Sequence, residues 1–173
     1  MGDCDCTGGQ VTAQDAVAEL YQLAALMLGD PRQAAEAAEA TVARISIDPC
    51  ADAKASMNEA REHLVKVAVA RLSAREPKAF DPPASASGPA GCIEEDDLAA
   101  AGVSASELAR LLHDPGRGVL RDWLNKLPAA QRAVFVLRAM MGWDNATAAV
   151  MLSEAAARHW QAEQVSELFR QAL

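Results

Sequence analysis

The sequence predicts an all-α fold, with two small helical domains joined by a flexible linker. The C-terminal domain is predicted to be a helix-turn-helix four-helix unit. Alanine dominates the 173 residues, and alanine has the highest intrinsic helix propensity. Apolar residues recur at helical spacing along most of the chain, which is typical of amphipathic helices. No run of β-branched residues alternates with polar ones in the way of a half-buried strand.

The first predicted helix starts near residue 13 and ends at Gly29. Its apolar face comprises Ala16, Leu20, Leu23, Ala24 and Met27. Asp30 suits an N-cap and Pro31 suits a first helical position, so a second helix follows at once over Arg32–Ile45. We expect its inward face to comprise Ala35, Ala38, Val42 and Ile45.

A polar connection at 46–56 leads to a third predicted helix, Met57–Ala74. Its inward face comprises Met57, Ala60, Leu64, Val67, Ala68 and Leu72. Residues 76–97 are rich in Pro, Ala, Ser and Gly and end acidic, a composition typical of a linker. Phe80 and Ile93 are its large apolar residues, and we interpret both as able to dock on a partner. A linker this short also allows the two helical units to pack together and mask each other.

The C-terminal unit spans 98–173 and opens with a predicted helix pair at 97–101 and 104–113. Further helix ends are marked by Pro128, Gly142, Asp144 and Ser153, which suit first-turn, C-cap and N-cap positions. The last pair, Asn145–Leu152 and Glu154–Ala172, has the layout of a helix-turn-helix. Its turn is predicted to be about two residues shorter than the usual 3–4 residues, because Leu152 runs straight into the N-cap.

Several classes of protein are disfavoured by what the sequence contains. The four cysteines are Cys4, Cys6, Cys50 and Cys92. The C-x-C pair of Cys4 and Cys6 could hold a soft metal, but further ligands stand at no recognised zinc spacing, so we predict reduced thiols, no metal site and no cofactor. The three histidines fall on different predicted helices without a catalytic partner, which argues against an enzyme. The sequence has neither a long apolar span nor a signal peptide, so we expect a cytoplasmic protein that does not contact membranes.

Two stretches resemble bacterial RNA polymerase sigma factors, with the extracytoplasmic-function (ECF) class as the closest group. LPAAQRAVFVLRAMMG, followed by a short and then a longer helix, is similar to the C-terminal promoter-binding domain. LYQLAALMLGDPRQAAEAAEATVARI is similar to the start of the N-terminal domain, where a helix ending in Gly-Asp-Pro precedes an acidic amphipathic helix. The resemblance implies a divergent or degenerate member with a disordered tail at 1–12, an N-terminal (region 2-like) domain at 13–75 and a C-terminal (region 4-like) domain at 98–173.

The resemblance also implies which residues make contacts. In the family the second helix docks on the clamp helices of core RNA polymerase, and the matching residues here are Gln33, Glu36, Glu39 and Arg44. The third helix contacts the melted minus-ten promoter element, and the basic residues available for this are Arg61, Lys66 and Arg71. The last helix reads the upstream element, through Arg158, His159 and Gln161, with Arg138 and Thr147 on DNA phosphates.

The charge distribution leaves two hypotheses open. The chain carries 16 basic and 24 acidic residues, for a net charge of −8, whereas a DNA-reading surface normally has a local positive excess. The first hypothesis is a sigma-like initiation factor that binds core RNA polymerase and directs it to promoters, with weak promoter contact of its own. The second is a degenerate sigma-like module that binds an anti-sigma factor or the polymerase and no longer reads promoter DNA.

Overall fold

The computed structural model describes residues 13–45, 53–84, 104 and 118–173. Within these ranges the chain forms helices and connecting turns with no strand, which confirms the all-α class. The α-helices of the described ranges are α1 Ala13–Leu28, α2 Pro31–Arg44, α3 Ala53–Arg75, α4 Gly118–Leu124, α5 Ala129–Phe135, α6 Asn145–Ala156 and α7 Ala162–Ala172. A 3₁₀ turn at Pro77–Phe80 follows α3, and a π-helical segment at Val136–Met140 continues α5.

Some predicted features lie outside the described residues. They are the tail at 1–12, the four cysteines, Ile93 and the helix pair at 97–113 apart from Ser104, which is exposed. Among the residues that are described, no helix is both long enough and apolar enough to cross a membrane.

The junction between α1 and α2 forms as the sequence predicts. The Asp30 carboxylate accepts hydrogen bonds from the backbone N–H groups of Arg32 (2.9 Å) and Gln33 (3.0 Å), with Pro31 at the first helical position. Gly29 has φ +70°, and a Cβ built there would lie 2.7 Å from Asn125 Oδ1. The left-handed backbone therefore favours glycine at this position, and any larger residue would also require the Asn125 side chain to move.

The buried face of α2 differs from the predicted one. The fully buried residues are Ala34, Ala37, Ala38 and Thr41, whereas Ala35, Val42 and Ile45 are only partly buried. Thr41 satisfies its hydroxyl within the helix by donating to the Ala37 carbonyl at 2.8 Å. Because alanine occurs on every side of this helix, side-chain volume in the sequence does not select one face.

Helix α3 is the longest of the described helices and lies at the centre of the fold. It begins at Ala53, four residues before the predicted start, and its predicted inward residues are buried except Val67, which is half-buried. It packs against α1 and α2, and also against α5 and α6 from beyond the predicted linker. Helices from both halves of the chain thus share one hydrophobic core, which confirms that they pack together; their division into two domains stays a prediction.

The 3₁₀ turn after α3 contributes to this core. Phe80, which we interpreted as a linker residue able to dock on a partner, is 0% exposed and belongs to the hydrophobic cluster of this same chain. The turn packs on α3 and on α5. The first residues of the predicted linker are therefore packed on the helices. The interpretation that Phe80 docks on a partner is wrong, because its ring is buried in the core of this chain.

Arg132 joins the two halves of the chain through a buried guanidinium. The side chain is 7% exposed, and it donates to the Met27 carbonyl in the last turn of α1 (3.2 Å) and to the Leu127 carbonyl (3.4 Å). Burial lowers the pKa of Arg132, because the charged form loses hydration. A cation at a helix C-terminus is favoured by the helix dipole, so this contact stabilises α1 on α5.

Candidate functional site

The last two described helices have different boundaries from those predicted for the helix-turn-helix. Helix α6 continues through Ser153 to Ala156, and the chain leaves it at Ala157 in the left-handed conformation (φ 52°). Ser153 is not an N-cap, because its Oγ donates to the Ala149 carbonyl within α6 (2.7 Å). The same Oγ accepts the backbone N–H of Trp160 at 2.9 Å, so it fastens the turn back onto α6. The turn before α7 is therefore not shortened.

Helix α7 begins at Ala162 with Gln161 as its N-cap. The side chains and backbones of Gln161 and Gln164 form a reciprocal capping box, in which Gln164 Oε1 accepts the Gln161 backbone N–H at 2.9 Å. The inner face of α7, including Val165, Leu168 and Phe169, packs on α5 and α6. Glu163 is the charged residue of its first turn.

The three residues predicted to read the upstream promoter element come together at this turn. Arg158 and His159 lie in the turn between α6 and α7, and Gln161 caps α7; all three are exposed. In helix-turn-helix proteins the N-terminal end of the second helix enters the major groove. The structure places the predicted residues beside that end, although on the turn and not along a recognition helix that starts at residue 154.

Thr147 lies in the first exposed turn of α6, next to an acidic cap. Its backbone N–H donates to Asp144 Oδ1 at 2.7 Å. The hydrogen bonds from Thr147 lower the pKa of Asp144, so this carboxylate is charged at neutral pH. A phosphate at Thr147 therefore has to approach a helix terminus that already carries a negative group.

Arg138 does not occupy the surface position that a DNA-phosphate contact requires. Its side chain is 6% exposed, donates to the Trp143 carbonyl and lies with its guanidinium carbon 5.2 Å from the centroid of the Phe169 ring. The predicted phosphate contact of Arg138 is thus at odds with the fold. The physical reason is that Arg138 lies in the buried part of the π-helical segment, together with Val136 and Leu137.

The basic residues predicted on α3 all contact acceptors in the same chain. Arg61 Nε donates to Glu19 at 2.8 Å, and Lys66 Nζ donates to Glu154 on α6 at 2.7 Å. Arg71 donates to the Gln33 carbonyl at 3.3 Å. The two carboxylate pairs are partly exposed, and such pairs contribute only about 0–1 kcal/mol each. A competing phosphate can therefore displace the acidic partners at modest cost.

A short segment after the 3₁₀ turn, residues 81–83, crosses the start of α7; we call it the 81–83 strap. Arg158 Nε donates to Asp81 Oδ1 at 3.1 Å, and Gln164 Nε2 donates to the Pro83 carbonyl at 2.8 Å. Gln164 is a functional candidate that the sequence analysis missed. Its position in the first turn of α7 becomes visible only when the helix is known to start at Ala162.

The predicted polymerase-binding residues lie on α2. Glu36, Glu39 and Arg44 are exposed, whereas Gln33 is half-buried and uses its backbone carbonyl to accept from Arg71. Glu36 also pairs with Arg32, one turn earlier, at 3.4 Å. Because α2 packs mainly on α1 and α3, this face stays on the outside of the molecule.

A cavity of about 340 Å³ separates α1 and α3 from the end of the π-helical segment. Its lining residues are Glu19, Leu23, Asn58, Arg61, Glu62, Met140, Met141 and Trp143. The Arg61–Glu19 pair forms part of its wall. Across the described ranges, no group of three or more His, Cys, Asp or Glu side chains is arranged to hold a metal ion.

Comparison of the chain with protein-family models, with curated proteins and with solved structures finds no match in any of the three.

Proposed function

We propose that this chain is a sigma-like transcription initiation factor that binds core RNA polymerase through the exposed face of α2 and directs it to promoters through the turn and first residues of α7. The proposal begins from the resemblance of residues 20–45 and 127–142 to ECF sigma factors. It is supported by one observation above all: the packed fold leaves both predicted contact surfaces on the outside. Glu39 and Arg44 are exposed on α2, and His159 and Gln161 are exposed at the start of α7.

Reversing one charge on α2 tests the polymerase half of this proposal. Glu39 is exposed and contributes nothing to the core, so Glu39→Lys is expected to leave the fold intact. If α2 docks on the polymerase clamp, the reversal weakens binding to purified bacterial core RNA polymerase by about tenfold or more, because like charges opposed at an interface cost several kcal/mol. Binding is measured by co-purification and by fluorescence anisotropy titration of labelled chain.

The matched control is Glu59→Lys, the same charge change at an exposed position on α3. It is expected to bind core polymerase as the wild-type chain does. If both variants weaken polymerase binding equally, the effect comes from net charge alone, and α2 is not the docking face. Absence of any polymerase binding by the wild-type chain would contradict the proposal altogether.

A second candidate is the degenerate module that binds polymerase or an anti-sigma factor without reading promoter DNA. The observation that favours it is the charge at the reading end: Glu163 lies in the first turn of α7, and Arg158 is paired with Asp81. DNA-reading helices normally carry a positive excess there. Polymerase binding without any promoter-dependent transcript would select this candidate over the first.

A further inference from the structure

The start of α7 is contacted at Arg158 and Gln164 by a segment of the same chain, while His159 and Gln161 stay exposed. The 81–83 strap provides two acceptors to this region, the Asp81 carboxylate to Arg158 and the Pro83 carbonyl to Gln164. The two contacts lie on either side of the N-cap of α7, so the strap spans the turn and the first helical turn together. These are the positions that a helix-turn-helix presents to DNA.

Both ends of the Gln164 amide are occupied within the chain. Its Oε1 accepts the Gln161 backbone N–H at 2.9 Å, and its Nε2 donates to Pro83 at 2.8 Å, leaving the residue 9% exposed. A glutamine reads adenine by presenting a donor and an acceptor together to one base edge. Gln164 cannot make that contact while the strap is seated.

The contact made by Arg158 has the chemistry of a phosphate contact. Its guanidinium Nε points a donor at the Asp81 carboxylate oxygen 3.1 Å away, and a DNA phosphate offers the same kind of charged oxygen acceptor. The strap thus fills the place of a nucleic-acid backbone with a carboxylate of its own.

The anchoring of the strap is uneven along its length. Phe80, immediately before it, is 0% exposed and holds the 3₁₀ turn in the core. Asp81 is exposed, with a side-chain exposure of 60% in its pair with Arg158. Breaking an exposed ion pair changes the equilibrium between the seated and the detached strap by no more than about fivefold. Detachment also breaks the Gln164–Pro83 hydrogen bond, and neither of the two contacts involves Phe80, so the helices can stay packed around that ring.

We propose that the 81–83 strap is an autoinhibitory contact that covers the DNA-reading end of α7 and must detach before the chain contacts promoter DNA. The inference rests on the proposed function, since it assigns a control to the same DNA-reading surface. The ligand that competes with Asp81 for Arg158 is a nucleic-acid phosphate backbone.

The test replaces Asp81 by asparagine, which keeps the side-chain size and removes the charge that holds Arg158. Free Asp81→Asn chain is expected to bind a short DNA duplex about twofold to fivefold more tightly than wild type, the range set by the loss of one exposed ion pair. The control, Asp122→Asn, removes an exposed carboxylate from α4 and raises the net charge equally. Affinity is measured by fluorescence anisotropy at fixed salt, after thermal unfolding shows that both variants fold as wild type does.

A second arm tests whether the gain passes through Arg158. Adding Arg158→Gln to Asp81→Asn is expected to remove the gain in DNA affinity. In the wild-type background, Arg158→Gln is expected to change DNA affinity by a smaller factor than it does in the Asp81→Asn background. A gain in Asp81→Asn that persists without Arg158, or an equal gain in Asp122→Asn, would overturn the masking role of the strap.

The same proteins assembled with core RNA polymerase separate the inference from the function beneath it. One outcome is promoter-dependent transcription by wild type with no gain in DNA binding by the free Asp81→Asn chain. That result overturns the autoinhibitory role of the strap and leaves the proposed function standing. If no variant binds DNA with or without core polymerase, promoter reading fails and the strap inference fails with it. A gain specific to Asp81→Asn supports both.

Discussion

Replacing Phe80 by alanine is expected to lower the free energy of unfolding by about 3–5 kcal/mol, the range for deleting a buried aromatic side chain. The ring is completely buried, and the 3₁₀ turn that carries it packs on α3 and α5. Truncation leaves a cavity between helices from the two halves of the chain, so the loss combines transfer and cavity terms. Urea unfolding followed by circular dichroism measures it, with the m-value checking that the transition stays two-state.

Lys78→Ala is the matched control for this change. Lys78 lies in the same 3₁₀ turn and is exposed, so its truncation is expected to stay within about 0.5 kcal/mol of wild type. A loss below about 1 kcal/mol for Phe80→Ala would instead mean that residues 77–80 behave as the free linker that their composition predicts.

Replacing Arg132 by alanine is expected to cost about 2–4 kcal/mol, because two carbonyl groups lose a charged donor and the aliphatic stem leaves the core. One of those carbonyls belongs to Met27 in the last turn of α1, and the other to Leu127 before α5. The predicted result is a cooperative loss of stability with weaker attachment of α1 to α5. Urea unfolding gives the size of the loss, and amide hydrogen exchange shows whether α1 loses protection first.

The control for Arg132 is Arg121→Ala, which removes an exposed arginine from α4. It is expected to leave both stability and exchange protection close to wild type. If Arg132→Ala proves equally neutral, the buried guanidinium does not join the two halves, and the shared core rests on apolar contacts alone.

The helix boundaries that carry local chemical signals could be predicted from the sequence. Asp30 and Pro31 set the start of α2, Asp144 caps α6, and Gly142 adopts the left-handed conformation with φ +68°. Each of these residues acts through its own backbone or its immediate neighbours. Sequence patterns are reliable at such positions because the interaction spans only a few residues.

The alanine-rich stretches could not be predicted in the same way. Alanine fits both buried and exposed positions, so α2 turned a different face inward and α6 continued past Ser153. Ser153 is a good N-cap type, but its hydroxyl bonds back to the preceding turn at Ala149. The Ala149 carbonyl accepts the hydrogen bond from the Ser153 hydroxyl, so α6 continues through this residue and Ser153 does not cap a new helix. Residue types in the sequence do not indicate which backbone group a serine hydroxyl will bond.

The candidate site depends on contacts between residues far apart in the chain. Lys66 meets Glu154, Asp81 meets Arg158, and Pro83 meets Gln164, although the sequence separations are 88, 77 and 81 residues. The family resemblance indicated the basic residues but not the acids opposite them. The pairing depends on how α3 and the 81–83 strap pack on α6 and α7, which single-sequence periodicity does not determine.

Run-off transcription with purified core RNA polymerase tests the proposed function most directly. Core polymerase is incubated with this chain and a library of linear bacterial promoter templates, with core polymerase alone and the Glu39→Lys chain as controls. The proposal predicts discrete transcripts that appear only with the wild-type chain and weaken with Glu39→Lys. No transcript from any template, with no complex between the chain and core polymerase, would contradict it.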